Sequence, residues 1–168
     1  MKKVMMFLCA LTLVFGMVGV AGAISYPDTY DAGGILMSGS LFGSDDSVTW
    51  TFDITDEDSG FFNPATQDVT SAQISLYLED HTGCFDFWEF ANLDVGDNSF
   101  NWEVNTGDIS FTIASLMTLS ESGTVDATLT ATLGDFYFNS ATLTAIGTEP
   151  GSTIDDAAAP VPEPSTIM

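Results

Sequence analysis

After Lys3 the chain contains no lysine and no arginine, against 24 aspartates and glutamates. A surface without basic side chains cannot neutralise phosphates, which excludes nucleic-acid binding by the usual electrostatic route. Anionic lipid headgroups would repel it for the same reason. Ion pairs are nearly excluded too, because His81 and the chain's own amino terminus are the only other groups able to carry positive charge. Histidine occurs once and cysteine twice. Cys9 falls in the leading apolar run, so Cys84 stands alone in the remainder and no internal disulfide can form there; a small buried thiol is the expectation. A nucleophilic triad needs a base oriented by an acid. The one histidine sits three residues before Cys84 in a short acidic turn, which argues against a Cys–His catalytic pair. Sustained helical periodicity is absent as well.

The leading segment is a different kind of sequence. Lys2 and Lys3 precede an apolar run from Val4, and Ala21-Gly22-Ala23 is a small-residue cleavage site. This pattern is that of a secretory signal peptide over residues 1–23, cut after Ala23, with Ala21 and Ala23 as the recognised small residues. Val4–Ala23 is also about long enough to cross a bilayer, but Gly16, Gly19 and Gly22 weaken it as a spanning helix. Removing 23 of 168 residues leaves 145 with a formal charge of −24, since both lysines leave with the signal. Such a length fits one domain burying roughly two-thirds of its unfolded surface.

Most of the remaining chain reads as a succession of strands. In Val48–Thr55, Val48, Trp50, Phe52 and Ile54 alternate with Thr49, Thr51, Asp53 and Thr55, the pattern of a half-buried strand. Ala72–Glu79, Phe100–Val104, Ile109–Ile113 and Val125–Leu133 repeat it. Ile35–Phe42, Phe136–Phe138 and Ala141–Ile146 are further candidates, and Cys84–Leu93 reads as a strand buried on both faces or bulged near Glu89. Ile24–Gly34, with Pro27, Asp28, Asp31 and a glycine pair, reads as an irregular lead-in. Turn clusters separate the segments at Gly43–Asp46, Asp94–Asn98, Thr106–Asp108 and Glu121–Gly123. Eight or nine short strands predict an all-β protein, an antiparallel β-sandwich of jelly-roll or immunoglobulin-like kind, over residues 24–146. Residues 147–160, rich in Pro, Gly, Ala and Asp, lose the alternation and read as a flexible spacer.

Few residues stand out as chemistry. Asp53, Asp56, Glu57 and Asp58 form the densest acidic stretch and are the candidate metal ligands; calcium, which takes six to eight oxygens, is the one cofactor they would suit. The spacing departs from an EF-hand: Gly60 stands where a ligand is wanted and Gln67 where a bidentate glutamate belongs. Alone of the three tryptophans, Trp88 falls off the parity of the phenylalanines before it, Phe85 and Phe87, and with Tyr77 or Tyr137 would make a sugar-stacking platform. Glu89 lies on the apolar parity and is the single best acid for a glycan hydrolase, but a working pair needs a second carboxylate at a set separation. These readings give two rivals to a non-enzymatic role: a secreted carbohydrate- or calcium-binding module, and a secreted glycan-active hydrolase.

The far end supplies an address. Val161-Pro162-Glu163-Pro164-Ser165-Thr166 resembles the sorting signal of the PEP-CTERM class of exported bacterial proteins. The resemblance covers residues 161–168. It implies an exosortase-type sorting protease as partner, with Pro162, Glu163 and Pro164 as the recognised core, and a place in the envelope, cell surface or extracellular polysaccharide of a Gram-negative bacterium. Two prolines keep such a segment extended and poor in backbone donors, which suits a protease groove. Ile167 and Met168 come after the hexamer, and the resemblance puts any membrane contact in a transient step or a helix beyond them. The sequence thus predicts an exported, non-enzymatic sandwich tethered by a spacer to its sorting signal, with extracellular polysaccharide the candidate partner and no nucleic acid.

Overall fold

The computed structural model describes residues 23–40, 44–81 and 88–148. They contain seven strands, β1 (Ile24–Gly39), β2 (Ser47–Asp53), β3 (Val69–Asp80), β4 (Phe90–Val95), β5 (Asn98–Glu103), β6 (Gly107–Ile113) and β7 (Thr124–Gly147), and one short helix, α1 (Met117–Ser122). All pairings are antiparallel. The all-β antiparallel sandwich expected from the alternation is what forms.

Strand β7 organises it. Its first half pairs with β2 on one side and β4 on the other, and β5 extends that sheet beyond β4. The second half pairs with β1 and β3, and β6 extends the other sheet beyond β3. One strand therefore belongs to both sheets, and each has four strands with β7 second in line. The crossing point is Gly134, at a backbone φ of +72°. Gly39, the last residue of β1, pairs with it, and a Cβ at Gly39 would lie 2.4 Å from the Leu133 nitrogen and 2.7 Å from the Ala131 carbonyl oxygen. Backbone passes so close here that only glycine fits.

The inner faces form one apolar cluster. Ile74, Leu76, Phe136, Phe138 and Leu143 come from one sheet, and Phe52, Leu93, Leu129 and Ala131 from the other. Each large side chain so buried contributes about 1.5–3 kcal/mol. Aromatic pairs close both open sides of the sandwich. On the β1–β2 side Tyr30 stacks on Trp50 at 5.0 Å, and Trp50 meets Phe138 at 5.2 Å. On the β5–β6 side Phe100 stacks on Phe111 at 4.6 Å and Trp102 lies 4.8 Å from the same ring. Helix α1 carries the chain from β6 in one sheet to β7 in the other, with Leu119 buried beneath it and left-handed Gly123 capping its end through a 2.8 Å bond to the Leu119 carbonyl.

Several boundaries differ from the sequence expectation, among them the start of β4 at Phe90, with Trp88 and Glu89 outside the strand, and three bear on the architecture. Ile24–Gly34 is strand rather than lead-in. Pro27 is tolerated because β1 is an edge strand with one neighbour, and the residues between Asp31 and Ile35 form an irregularity in which the Gly33 amide bonds Asp31 Oδ1 at 2.9 Å. Residues 125–146 hold one strand where the alternation predicts three. Gly147, assigned to the spacer, is the buried last residue of β7. The remainder of the spacer, residues 149–160, lies outside the described residues, as do 82–87.

Candidate functional site

The acidic stretch after β2 is built from local hydrogen bonds. Asp53 Oδ1 accepts from the Thr55 amide at 2.8 Å and the Thr55 hydroxyl at 2.6 Å. Asp56 Oδ1 accepts from the Ser59 amide at 2.8 Å, and the buried Ser59 hydroxyl donates to the Asp53 carbonyl. The Asp53 amide in turn donates to Asp28 Oδ2 at 2.6 Å, tying the end of β2 to β1 across the gap between sheets. Asp56, Glu57 and Asp58 are exposed. The four predicted ligands Asp53, Asp56, Glu57 and Asp58 are therefore not brought together: two carboxylates hold turns, and among the described residues no group of three or more His, Cys, Asp or Glu side chains is placed to hold a metal ion. The spacings D-x-T and D-x-x-S, typical of side chains that bond their own downstream backbone, carried that signal in the sequence.

Trp88 is 68% exposed, the most exposed tryptophan of the three. Its carbonyl lies against Gly134, at the corner where β7 changes sheets. Tyr77, also at the surface, sits on β3 opposite Asp108 and Ser140, and Tyr137 is taken up by His81, whose ring meets it edge-on at 5.3 Å. Among the described residues no ring contact joins Trp88 to Tyr77 or to Tyr137, the two partners either of which would have completed the platform. Trp50 and Trp102 pack between the sheets, as their parity indicated.

Glu89 is 6% exposed. Its Cγ would lie 2.7 Å from a Cβ at Gly134, and its carbonyl accepts from the Val104 amide at 2.7 Å. The β4–β7 register shifts between Phe90 and Ala91, next to it, where a bulge was expected. Glu89 thus fills the corner of β7, a packing position. His81 Nδ1 lies 2.8 Å from Asp135 Oδ2, a contact between the end of β3 and the middle of β7, beside its Gly134 corner, that the sequence did not disclose. Cys84, Ala21 and the hexamer Val161, Pro162, Glu163, Pro164, Ser165 and Thr166 lie outside the described residues; Ala23 is exposed just before β1.

One surface went unread in the sequence. On the outer face of the β1–β7–β3–β6 sheet, the registers set side by side Pro27, Thr144, Gln73 and Thr112, and next to them Thr29, Thr142, Ser75 and Ser110. Thr29 and Thr142 hydroxyls bond at 3.0 Å, and Ser75 and Ser110 at 2.7 Å. An open groove of about 340 Å³ crosses this face, lined by Ser71, Ala72, Gln73, Thr112, Thr144 and Ile146. These rows carry no carboxylate, although acids make up 24 of the chain's residues.

No protein-family model matches the chain, and no curated protein matches it. Solved structures resemble it at low identity. The decameric BFDV capsid protein aligns at a TM-score of 0.45 and 10% identity, covering 76% of this chain and 97% of that one. FlhE aligns at 0.41 and 10%, covering 75% and 97%. The empty-head turnip yellow mosaic virus protein aligns at 0.38 and 9%, covering 83% and 86%. At these values the likenesses say nothing of activity or partner. Among the described residues no helix is long and apolar enough to cross a membrane.

Proposed function

We propose that this chain is an exported, non-enzymatic envelope or extracellular-matrix protein of a Gram-negative bacterium, delivered by an exosortase-type route. The hexamer Val161–Thr166 carries the reading. The architecture between the two signals supports it: β1 begins at Ile24, the residue after the expected cleavage site, and Ile24 pairs with Gly147, where the strand sequence gives way to spacer. Both ends of the domain leave from neighbouring strands, so neither signal has to be drawn out of the core. The decisive experiment is expression of the gene in a bacterium that possesses the sorting protease, beside a strain that lacks it. Cleavage near Pro162 that vanishes in the lacking strain, and in Pro162→Ala/Glu163→Ala/Pro164→Ala, is the expected result. Equal processing in both strains would sink it.

A second reading, binding of extracellular polysaccharide, has one observation in its favour. The carboxylate-free groove around Gln73 and Thr144 is where a neutral, hydroxyl-rich polymer could lie on a protein that otherwise repels anions. Retarded migration in gels containing a neutral polysaccharide, relieved by Gln73→Ala but unaffected by Trp88→Ala, is expected of this face. The opposite pattern would return the site to Trp88.

A further inference from the structure

Six strand pairings hold the described residues together, and β7 is a member of four: β1, β2, β3 and β4 all pair with it. Without Thr124–Gly147, β1 and β2 have no partner at all. That leaves the β4–β5 hairpin and the separate β3–β6 pair, and a two-stranded element is marginal in water by itself. The core would go with it. Val125, Ala127, Leu129 and Ala131 supply the centre of one sheet's inner face, and Phe136, Phe138, Ala141, Leu143 and Ala145 the centre of the other's. The first residue of β1 closes against the last residue of β7, 123 positions later.

We infer that the fold is gated by its last strand: the chain stays unfolded until Gly147 has left the conduit that carries it, and then both sheets close around β7 together. A domain whose early strands pair with one another can begin to fold before its last strand emerges. Here that route is closed, because every strand before Thr124 either lacks a partner or forms only a two-stranded pair. The pairings to β7 close separations that run from 32 residues at Val95–Ala127 to 123 at Ile24–Gly147, and that loop-closure entropy must be overcome before most native contacts form. For a protein sent out as an extended chain, such an order of events keeps it threadable for the whole of synthesis without a dedicated holding partner. Only that use in export rests on the proposed function; the folding gate stands on the pairing scheme alone.

The test is cell-free translation of residues 24–168, extended by glycine-serine linkers of increasing length and a translational arrest sequence. Stalled chains are then probed with thermolysin, because the mature chain has no lysine or arginine for trypsin. Protection should be absent while the linker is too short for Gly147 to clear the ribosome, and should appear in one step once it clears. A protected fragment at any length that keeps Gly147 inside the tunnel, including lengths at which Thr124–Leu133 has already emerged to join β2 and β4, would overturn the inference. Leu143→Pro removes a backbone donor from β7, and should leave the chain unprotected at every length; protection equal to wild type would also overturn it. If the single step is seen but the chain with its leader is not exported in cells, the export reading fails and the gate does not.

Discussion

Gln67 shows how much a single polar residue can hold in a protein without ion pairs to spare. Its side chain is buried; Nε2 donates to the Tyr26 hydroxyl at 2.5 Å and to the Thr148 carbonyl at 3.0 Å, and Oε1 accepts from the Asn63 amide at 2.7 Å. One amide therefore joins the loop before β3 to the start of β1 and the end of β7. A buried group stripped of its partner costs about 1–3 kcal/mol. Gln67→Ala should lower the unfolding free energy by about that much, and Gln67→Glu should cost more, because a carboxylate would face the Thr148 carbonyl. Urea titration of the three proteins decides it; a Glu variant as stable as wild type would contradict the bonding scheme. Gly39 makes the complementary point about space. Its missing Cβ would strike backbone of Ala131, Thr132 and Leu133, which cannot rotate away as a side chain could. Gly39→Ala should destabilise by about 1–3 kcal/mol or more, whereas Gly147→Ala, whose nearest obstacle is a tyrosine ring carbon at 3.0 Å, should cost less in the same titration.

At the scale of the element, β7 explains both what the sequence disclosed and what it concealed. Its buried positions run Val125, Ala127, Leu129, Ala131, then Phe136, Phe138, then Ala141, Leu143, Ala145. Parity changes twice. Each change coincides with a residue left unpaired: Thr132 opposite the Phe90–Ala91 step, and Asn139 opposite the Tyr77–Leu78 step. A bulge flips which face a side chain takes without ending the strand, so alternation alone shows three short strands where the chain makes one. The inner and outer assignments within each run were legible; their continuity was not. The lead-in hides its strand for a related reason, since Pro27 and the Gly33-Gly34 pair signal breakage unless the strand is known to lie at an edge. Of the candidate sites, the buried Glu89 could be read from parity, while a strand expected to be buried on both faces hid the exposure of Trp88. The acidic loop could not be told from a metal site by composition, because what separates them is the bonds that Asp53 and Asp56 make to Thr55 and Ser59. The hydroxyl face is a product of register between strands far apart in sequence. Gly134→Val tests the corner itself: a β-branched residue at φ +72° beside Glu89 is strained by roughly 1–2 kcal/mol before any clash is counted. It should lower the midpoint of urea unfolding clearly, and an unchanged midpoint would show that β7 does not need glycine to cross between sheets.

For the molecule as a whole, charge is the dominant unbalanced term. From residue 24 onward 24 acids face one histidine, and His81–Asp135 is the one close approach of a histidine to a carboxylate among the described residues. Like charges spread over a domain of this size sit within one or two Debye lengths of each other at low ionic strength, and self-repulsion then works against the compact state. The melting temperature of residues 24–168 should therefore climb steadily as sodium chloride is raised from about 10 mM to about 500 mM, where the screening length falls from roughly 30 Å to a few ångströms. Divalent ions separate two causes of such a rise. Diffuse screening treats magnesium and calcium alike, while a chelating site of oxygen ligands prefers calcium for its size and flexible coordination. Because Asp53 and Asp56 are committed to Thr55 and Ser59, calcium and magnesium at equal concentration should raise the melting temperature by the same amount. An excess stabilisation by calcium, saturating and lost in Asp56→Asn/Asp58→Asn, would mean that the loop reorganises around an ion. A melting temperature indifferent to all three salts would mean that repulsion is not what limits the stability of this fold.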